Sequence, residues 1–464
     1  MSTPVLWILI PLGLGGLLLL VGNRKAIALI ACLATLFLTL CAWLLPIDVV
    51  LTIKSWSFRL TPAFEVLGRR LILSNADRSI LALVYGSVFF WFIIAATLRI
   101  PRRTIPLGLI ITSLLVASLA VEPFLYSALI IETAVLLAVP LLSPPGLKGG
   151  RGLARFLILQ TLAMLFILFS GWLLAGIEAN PGDLGLVSQA AILLGFGFVL
   201  LLAIFPFHTW IPLLAEEAHP FMVIFFLWIF STLTMFFGLG FLDHYTWLRD
   251  SPFLNQALTA VGVLMVLSGG LLVAFQRHLG RILGYAVIME TGFSFLAISL
   301  GGAGLNTFLM LFVPRTLSLG LWVLALSILK EHDPDLTLEN IKGKGRIWPL
   351  ASTGLLLANL SLAGMPLLAG FPVHQAIWEG LAANSLLFAS LTLFGGLGLV
   401  VAVLRTLSAL IAAPEGAPWE VREGPPERII FVIGWLALFL LGLFPQWALP
   451  LWTRLPAIFQ HLGQ

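Results

Sequence analysis

Six side chains offer chemistry in this sequence: Glu132, His208, Glu290, Arg315, His374 and Glu379. Five of them stand in otherwise apolar surroundings, Glu132 within LYSALIIETAVLLAVPLL and Glu290 within RILGYAVIMETGFSFLAIS. An ionisable group at the centre of a bilayer costs about 2.5–3.5 kcal/mol on insertion scales, so each marks a position that is paired or hydrated. Such a set suits the movement of protons or small cations. His374 has the imidazole that exchanges protons near pH ~6.5. Arg315 stays charged, so it can hold a carboxylate ionised or order water but hands over no proton readily. Glu290 is its natural partner. Glu379 is expected near the outer end of its helix as a solvated carboxylate. His208 fits a relay and a solvated histidine equally well, and Glu216 and Glu217, in the following loop, read as solvated charge.

These residues lie around two interruptions of the apolar pattern. In LLAIFPFHTWIPLLAEEAHP, Pro206 and Pro212 remove two backbone donors, which a bilayer tolerates only where the break lines a protein-enclosed cavity. A second break, LAGMPLLAGFPVHQ, centres on Pro366 and Pro372. Pro366 follows Pro206 by 160 residues (366 − 206), Glu132 precedes Pro206 by 74 (206 − 132) and Glu290 precedes Pro366 by 76 (366 − 290). Two glutamates and two broken helices in register point to a duplicated unit, as in transporters built from internal repeats.

The scaffold follows from composition. Of 464 residues, 60% are hydrophobic and 10% charged, which defines a polytopic membrane protein. Apolar segments fall at 4–22, 26–46, 79–98, 104–121, 123–143, 156–177, 187–206, 220–242, 256–275, 282–300, 306–329, 349–370, 385–412 and 429–447, about fourteen spans. The first lacks a preceding basic residue and a following cleavage pattern, so it reads as a retained helix. Cys32 and Cys41 lie too far apart along one helix to bridge. With the N-terminus outside, the cytoplasmic loops hold 17 of the 25 basic residues, among them Arg103, Lys148, Arg281, Lys330, Arg346 and Arg428. That bias predicts N-out and C-out topology, although the outer loop 47–78 carries five basic residues against it. The positive charge therefore reports topology, and no nucleic-acid patch is needed. No phosphate loop, dinucleotide fingerprint, metal cluster or cysteine-rich site is present to hold a cofactor.

Three motifs carry a family resemblance. PFHTWIPLLAEEAHP resembles the P-H-x-W-x-P-D-A-H-x-x-A-P-T signature of the antiporter-like membrane subunits of respiratory complex I (NADH:quinone oxidoreductase), shared with Mrp-type sodium/proton antiporters and membrane-bound hydrogenases. GRILGYAVIMETG is similar to that family's K-R-L-L-A-Y-S-S-I-x-H-x-G, and GMPLLAGFPVH to its G-x-P-x-x-x-G-F-x-x-K. The resemblance implies an all-α membrane fold of two inverted five-helix repeats, each with a broken helix. Residues 1–103 would form the first three helices, 104–242 and 256–412 the two repeats, and 413–464 a loop and last helix. It implies proton translocation across the cytoplasmic membrane, driven by redox chemistry in other subunits of a large hetero-oligomeric complex, with no cofactor in this chain. Sodium is the alternative ion. A cation/proton antiporter subunit and a non-conducting scaffold are the rival expectations.

Carried over residue by residue, Glu132 matches the family's fifth-helix glutamate, whose usual lysine partner falls here on Leu201. The eighth-helix lysine or histidine falls near Leu233. His374 takes the place of the broken twelfth helix's lysine or glutamate, Arg315 lies near an eleventh-helix lysine, and Glu290 stands where histidine is usual. The second half thus keeps polar groups where the first has lost its cationic centre. A carboxyl buried without a counter-charge rests in its neutral form, so Glu132 is expected to be neutral unless another subunit brings it a cation.

Overall fold

The computed structural model describes residues 2–53, 56–66, 68–143, 150–179, 184–412, 419–447, 459 and 461–462. Lys54 and Lys148, counted above for topology, lie outside the described residues. The helices are α1 (Ile10–Leu20), α2 (Arg24–Leu44), α3 (Arg78–Thr97), α4 (Thr104–Ala120), α5 (Ser127–Leu142), α6 (Arg151–Ala179), α7 (Leu184–Leu201), α8 (Trp210–Glu217) and α9 (Pro220–His244). They continue as α10 (Thr246–Arg249), α11 (Pro252–Phe275), α12 (Leu279–Ser299), α13 (Gly304–Met310), α14 (Phe312–His332), α15 (Pro349–Leu362), α16 (Phe371–Asn384), α17 (Leu386–Ile411) and α18 (Pro425–Leu443). Among the described residues ten helices are long and apolar enough to cross a membrane, and four more apolar helices are shorter. Each apolar segment read from the sequence carries helix. Hydrocarbon supplies no hydrogen-bond partner, so a spanning backbone must satisfy itself within the helix.

The loop after α2 is more ordered than its polarity suggests. β1 (Val50–Ile53) pairs antiparallel with β2 (Trp56–Arg59), and β3 (Ala63–Val66) pairs with β4 (Arg69–Ile72). β4 also pairs with β5 (Val121–Glu122), setting Arg70 opposite Glu122.

Burial is concentrated in α4, α9, α12 and α14, while α17 and α18 turn large apolar side chains such as Leu397, Leu404, Ile433 and Leu436 outward. The aromatic run 224–230 is fully buried, so it packs inward and does not face lipid. There Trp228 stacks at a tilt on Trp91, 5.6 Å between centroids, and donates from Nε1 to Thr316 Oγ1 at 2.9 Å. Lipid tails are as apolar as leucine, so association here rests on close contact and on hydrogen bonds between helices. Glycine makes the closest approaches possible. A Cβ on Gly395 of α17 would lie 2.6 Å from the Val266 carbonyl oxygen of α11, and one on Gly284 of α12 would lie 2.7 Å from Cα of Pro212 in α8.

Candidate functional site

Both sequence breaks are breaks in the structure. α7 stops at Leu201 and the chain resumes helix at α8; α15 stops at Leu362 and resumes at α16. Each gap holds a non-glycine residue in the left-handed region, Ala203 (φ 53°) and Leu367 (φ 72°), conformations that cost on the order of 1 kcal/mol or more and persist only where packing holds them. The second gap adds Gly364 at φ 72°, against whose backbone His374 packs.

Beside that second break three of the six side chains meet. Glu290 on α12, Arg315 on α14 and His374 on α16 are 3%, 9% and 1% exposed. Arg315 Nε donates to Glu290 Oε2 at 2.8 Å. Its Nη2 donates to the Glu290 main-chain oxygen and to Ser294 Oγ, both at 2.7 Å. The guanidinium thus grips one turn of α12 at three points, a charge-assisted arrangement that fixes the carboxylate. His374 Nδ1 stands 2.7 Å from the Gly370 carbonyl, and the Phe293 ring meets the imidazole edge-on at 4.2 Å.

The geometry fixes the tautomer. A carbonyl can only accept, so His374 Nδ1 carries a hydrogen, and in the neutral ring Nε2 is the acceptor. Nε2 faces Glu290 Oε1 at 3.8 Å, and neither atom has another protein partner. Two acceptors repel until a proton lies between them. With a neutral imidazole the three side chains sum to zero charge; one proton taken up on Nε2 raises the sum to +1. Nearby, Ser318 Oγ donates to Ser361 Oγ at 2.9 Å, which accepts the Gly370 N–H at 3.2 Å and ties the break to α14.

The other three candidates do not join this group. Glu379 is exposed on α16 and accepts from Gln375 Nε2 at 2.8 Å. His208 is buried after the first break, stacked on Phe205 (5.4 Å) and facing Tyr285 (6.2 Å), with Nδ1 unpartnered. Glu132 is half-buried on α5. Its Oε1 accepts from Thr161 of α6 at 2.8 Å, its Oε2 has no partner, and no described cation pairs with it. Leu201 and Leu233, where the family resemblance led to the expectation of a cation, are each 1% exposed.

Glu216 and Glu217 close helix α8 and do not lie in a loop, and both, though partly exposed, are tied to other helices. Glu216 Oε2 accepts from Arg281 Nε at 2.6 Å, linking α8 to α12. Glu217 accepts the Gly152 N–H at 3.1 and 2.9 Å, linking α8 to α6. Sequence reasoning also missed Ser294, whose spacing of four from Glu290 places it one turn on, the only signal available.

Two histidines outside the spanning segments act as helix caps. His219 Nδ1 accepts the Phe221 N–H at 3.3 Å, and His278 Nδ1 accepts the Gly280 N–H at 3.1 Å. Burial, with Lys330 adding to it, pushes the His219 imidazole down to about 4. Burial also lowers His278, against the pull of Glu216 and Asp335. A depressed imidazole stabilises the folded chain fully above the ordinary value of ~6.5 and loses that contribution as pH falls from there towards about 4, at most a few kcal/mol for His219. His219→Asn keeps a capping acceptor and removes the titration. The thermal midpoint of the native complex is expected to drop between pH 7 and pH 5, and His219→Asn to lessen that drop; an unaltered drop would show that His219 does not contribute.

A multi-pass helical membrane protein with paired broken helices and a buried carboxylate, guanidinium and imidazole is a transporter-class subunit. Residues 153–400 match the family model described as NADH:quinone oxidoreductase/Mrp antiporter, TM. The chain is 31% identical over 339 residues to NADH-quinone oxidoreductase subunit 14 of Thermus thermophilus, covering 68% of this chain and 72% of that one. Its fold matches a chain of respiratory complex I from Thermus thermophilus (TM-score 0.76, 22% identity, 100% of both chains). It also matches one of an archaeal membrane-bound sulfane sulfur reductase (TM-score 0.81, 17% identity, 100% of this chain and 98% of the other). The chain belongs to the antiporter-like membrane subunits of this NADH:quinone oxidoreductase/Mrp family.

Proposed function

We propose that the chain moves protons across the cytoplasmic membrane as one subunit of a complex I-type machine whose other subunits perform the redox chemistry, and that it carries no cofactor of its own. The observation that carries this reading is the buried Glu290–Arg315–His374 group at the second break. It can take up or release one proton at His374 Nε2 while Arg315 holds the carboxylate opposite, and a pure scaffold could avoid the cost of three such groups by substituting apolar residues. Two repeats, 104–242 and 256–412, and N-out, C-out orientation fit the matched breaks and the distribution of basic loops. The test is His374→Leu in the assembled complex. Proton uptake by reconstituted vesicles is expected to fall by roughly tenfold or more, the scale at which a proton-transfer group acts, with assembly retained; unchanged uptake removes His374 from the path.

A scaffold role is favoured for the first half alone, by the buried apolar side chains at Leu201 and Leu233. The conducting route in this reading runs through the second half, and Glu132 acts only with a cation supplied by a neighbouring membrane subunit.

A further inference from the structure

Apart from Glu290, one carboxylate among the described residues is fully buried: Glu423, 1% exposed, just before α18. Its Oε1 accepts the N–H groups of Leu350 (2.8 Å) and Ala351 (3.0 Å) in the first turn of α15, while its Oε2 is buried without a protein partner. Arg428 Nε donates to its main-chain oxygen at 2.7 Å and holds the residue in place. Two further buried oxygens on α15 lack a protein partner, Ser352 Oγ and Asn359 Oδ1. Seven residues separate them (359 − 352), so at ~100° and ~1.5 Å per residue they share one face of the helix, ~10 Å apart along it. α15 itself ends at the break, two residues before Gly364, on which a Cβ would lie 3.1 Å from Cβ of His374. Unpaired buried oxygens are costly, and buried polar atoms without a protein partner are commonly satisfied by ordered water.

We propose that this face of α15 is a hydrated access path to the Glu290–His374 site from the side bearing Lys344, Arg346, Arg422 and Arg428, with Glu423 as the carboxylate at its mouth. The proposal rests on the proton-transfer reading above and adds the route. With Leu201 and Leu233 closing the first half to charge, the second half needs its own connection to that side. The carboxylate at the mouth would pass protons on Oε2 while Oε1 remains the cap of α15.

The experiment uses the assembled complex in vesicles, with Cys32 and Cys41 replaced by serine, and a small water-soluble methanethiosulfonate added on the basic side. Ser352→Cys and Asn359→Cys are expected to react about tenfold faster than Ala358→Cys, which lies off this face, because thiol reactivity follows solvent access and thiolate fraction. Glu423→Gln keeps the capping acceptor and is expected to cut proton uptake severalfold. Reaction at 352 and 359 no faster than at 358 overturns the path, whatever His374→Leu does. Full uptake by Glu423→Gln, where His374→Leu abolishes it, also overturns the path and spares the site. If His374→Leu leaves uptake intact, the proton-transfer reading of the site fails, and the thiol rates alone decide whether the path is hydrated.

Discussion

Arg315→Leu is expected to damage the protein more than removal of both Arg315 and Glu290. The single change leaves the Glu290 carboxylate buried without its counter-charge, and such breakage typically costs about 3–5 kcal/mol, whereas exchanging a whole buried pair for apolar residues is often neutral for stability. Both variants lose the Arg315 bonds to the Glu290 main-chain oxygen and to Ser294, which keeps its own bond to that oxygen at 3.0 Å; the carboxylate stripped of its guanidinium is what sets the single change apart. The yield and thermal midpoint of the assembled complex should therefore rank as wild type and double variant above Arg315→Leu. Proton uptake should rank differently, with both variants inactive. A double variant that assembles normally and keeps the full proton-to-electron ratio would make the chain a scaffold.

The second large effect concerns Glu132, which we expect to depend on a neighbouring subunit for its charge. The Glu132 carboxyl lies on the α5–α6 flank among outward-facing Leu129, Leu136 and Leu165, bonded only to Thr161. The family resemblance puts the cationic partner of Glu132 at Leu201, whose carbonyl accepts from Gln160 of α6 at 3.4 Å. Leu201→Lys would supply an internal cation, and opposite charge favours the ionised carboxylate. Infrared spectroscopy should show the protonated-carboxyl band of Glu132 lost in Leu201→Lys. An ionised Glu132 in the unaltered complex with no basic residue from a neighbour in reach would sink this account.

Much of this was legible from residue type. Long apolar runs, prolines inside them and the scarcity of charge set the helices and both breaks, because hydrocarbon allows so few alternatives. The Glu290–Arg315 pairing could be anticipated since a buried carboxylate and guanidinium on adjoining helices have little choice of partner. The convergence of His374 on Glu290 could only be expected loosely, as it depends on how α16 turns after the gap. Glu379, five residues further on, points elsewhere for that reason. The roles of Glu216 and Glu217, at the end of the short helix α8, and of Glu423, just before α18, were hidden because so short a segment gives no periodicity from which to read what its carboxylates touch. Their partners lie far off in sequence: Gly152 for Glu217, Arg281 for Glu216, and the start of α15 for Glu423.

α12 has a mechanical consequence for the two breaks. Its first turns are locked to α8 by Arg281 and Glu216 and by the close seat of Gly284 on Pro212, and nine residues beyond Arg281, ~13 Å along the axis, it carries Glu290. α12 is therefore a single helix that joins the two breaks, tied at one end to α8 and carrying, further along, the Glu290 carboxylate that stands 3.8 Å from His374. The half in which leucines stand at the expected cation positions is thus joined by one continuous helix to the half that holds Glu290, Arg315 and His374.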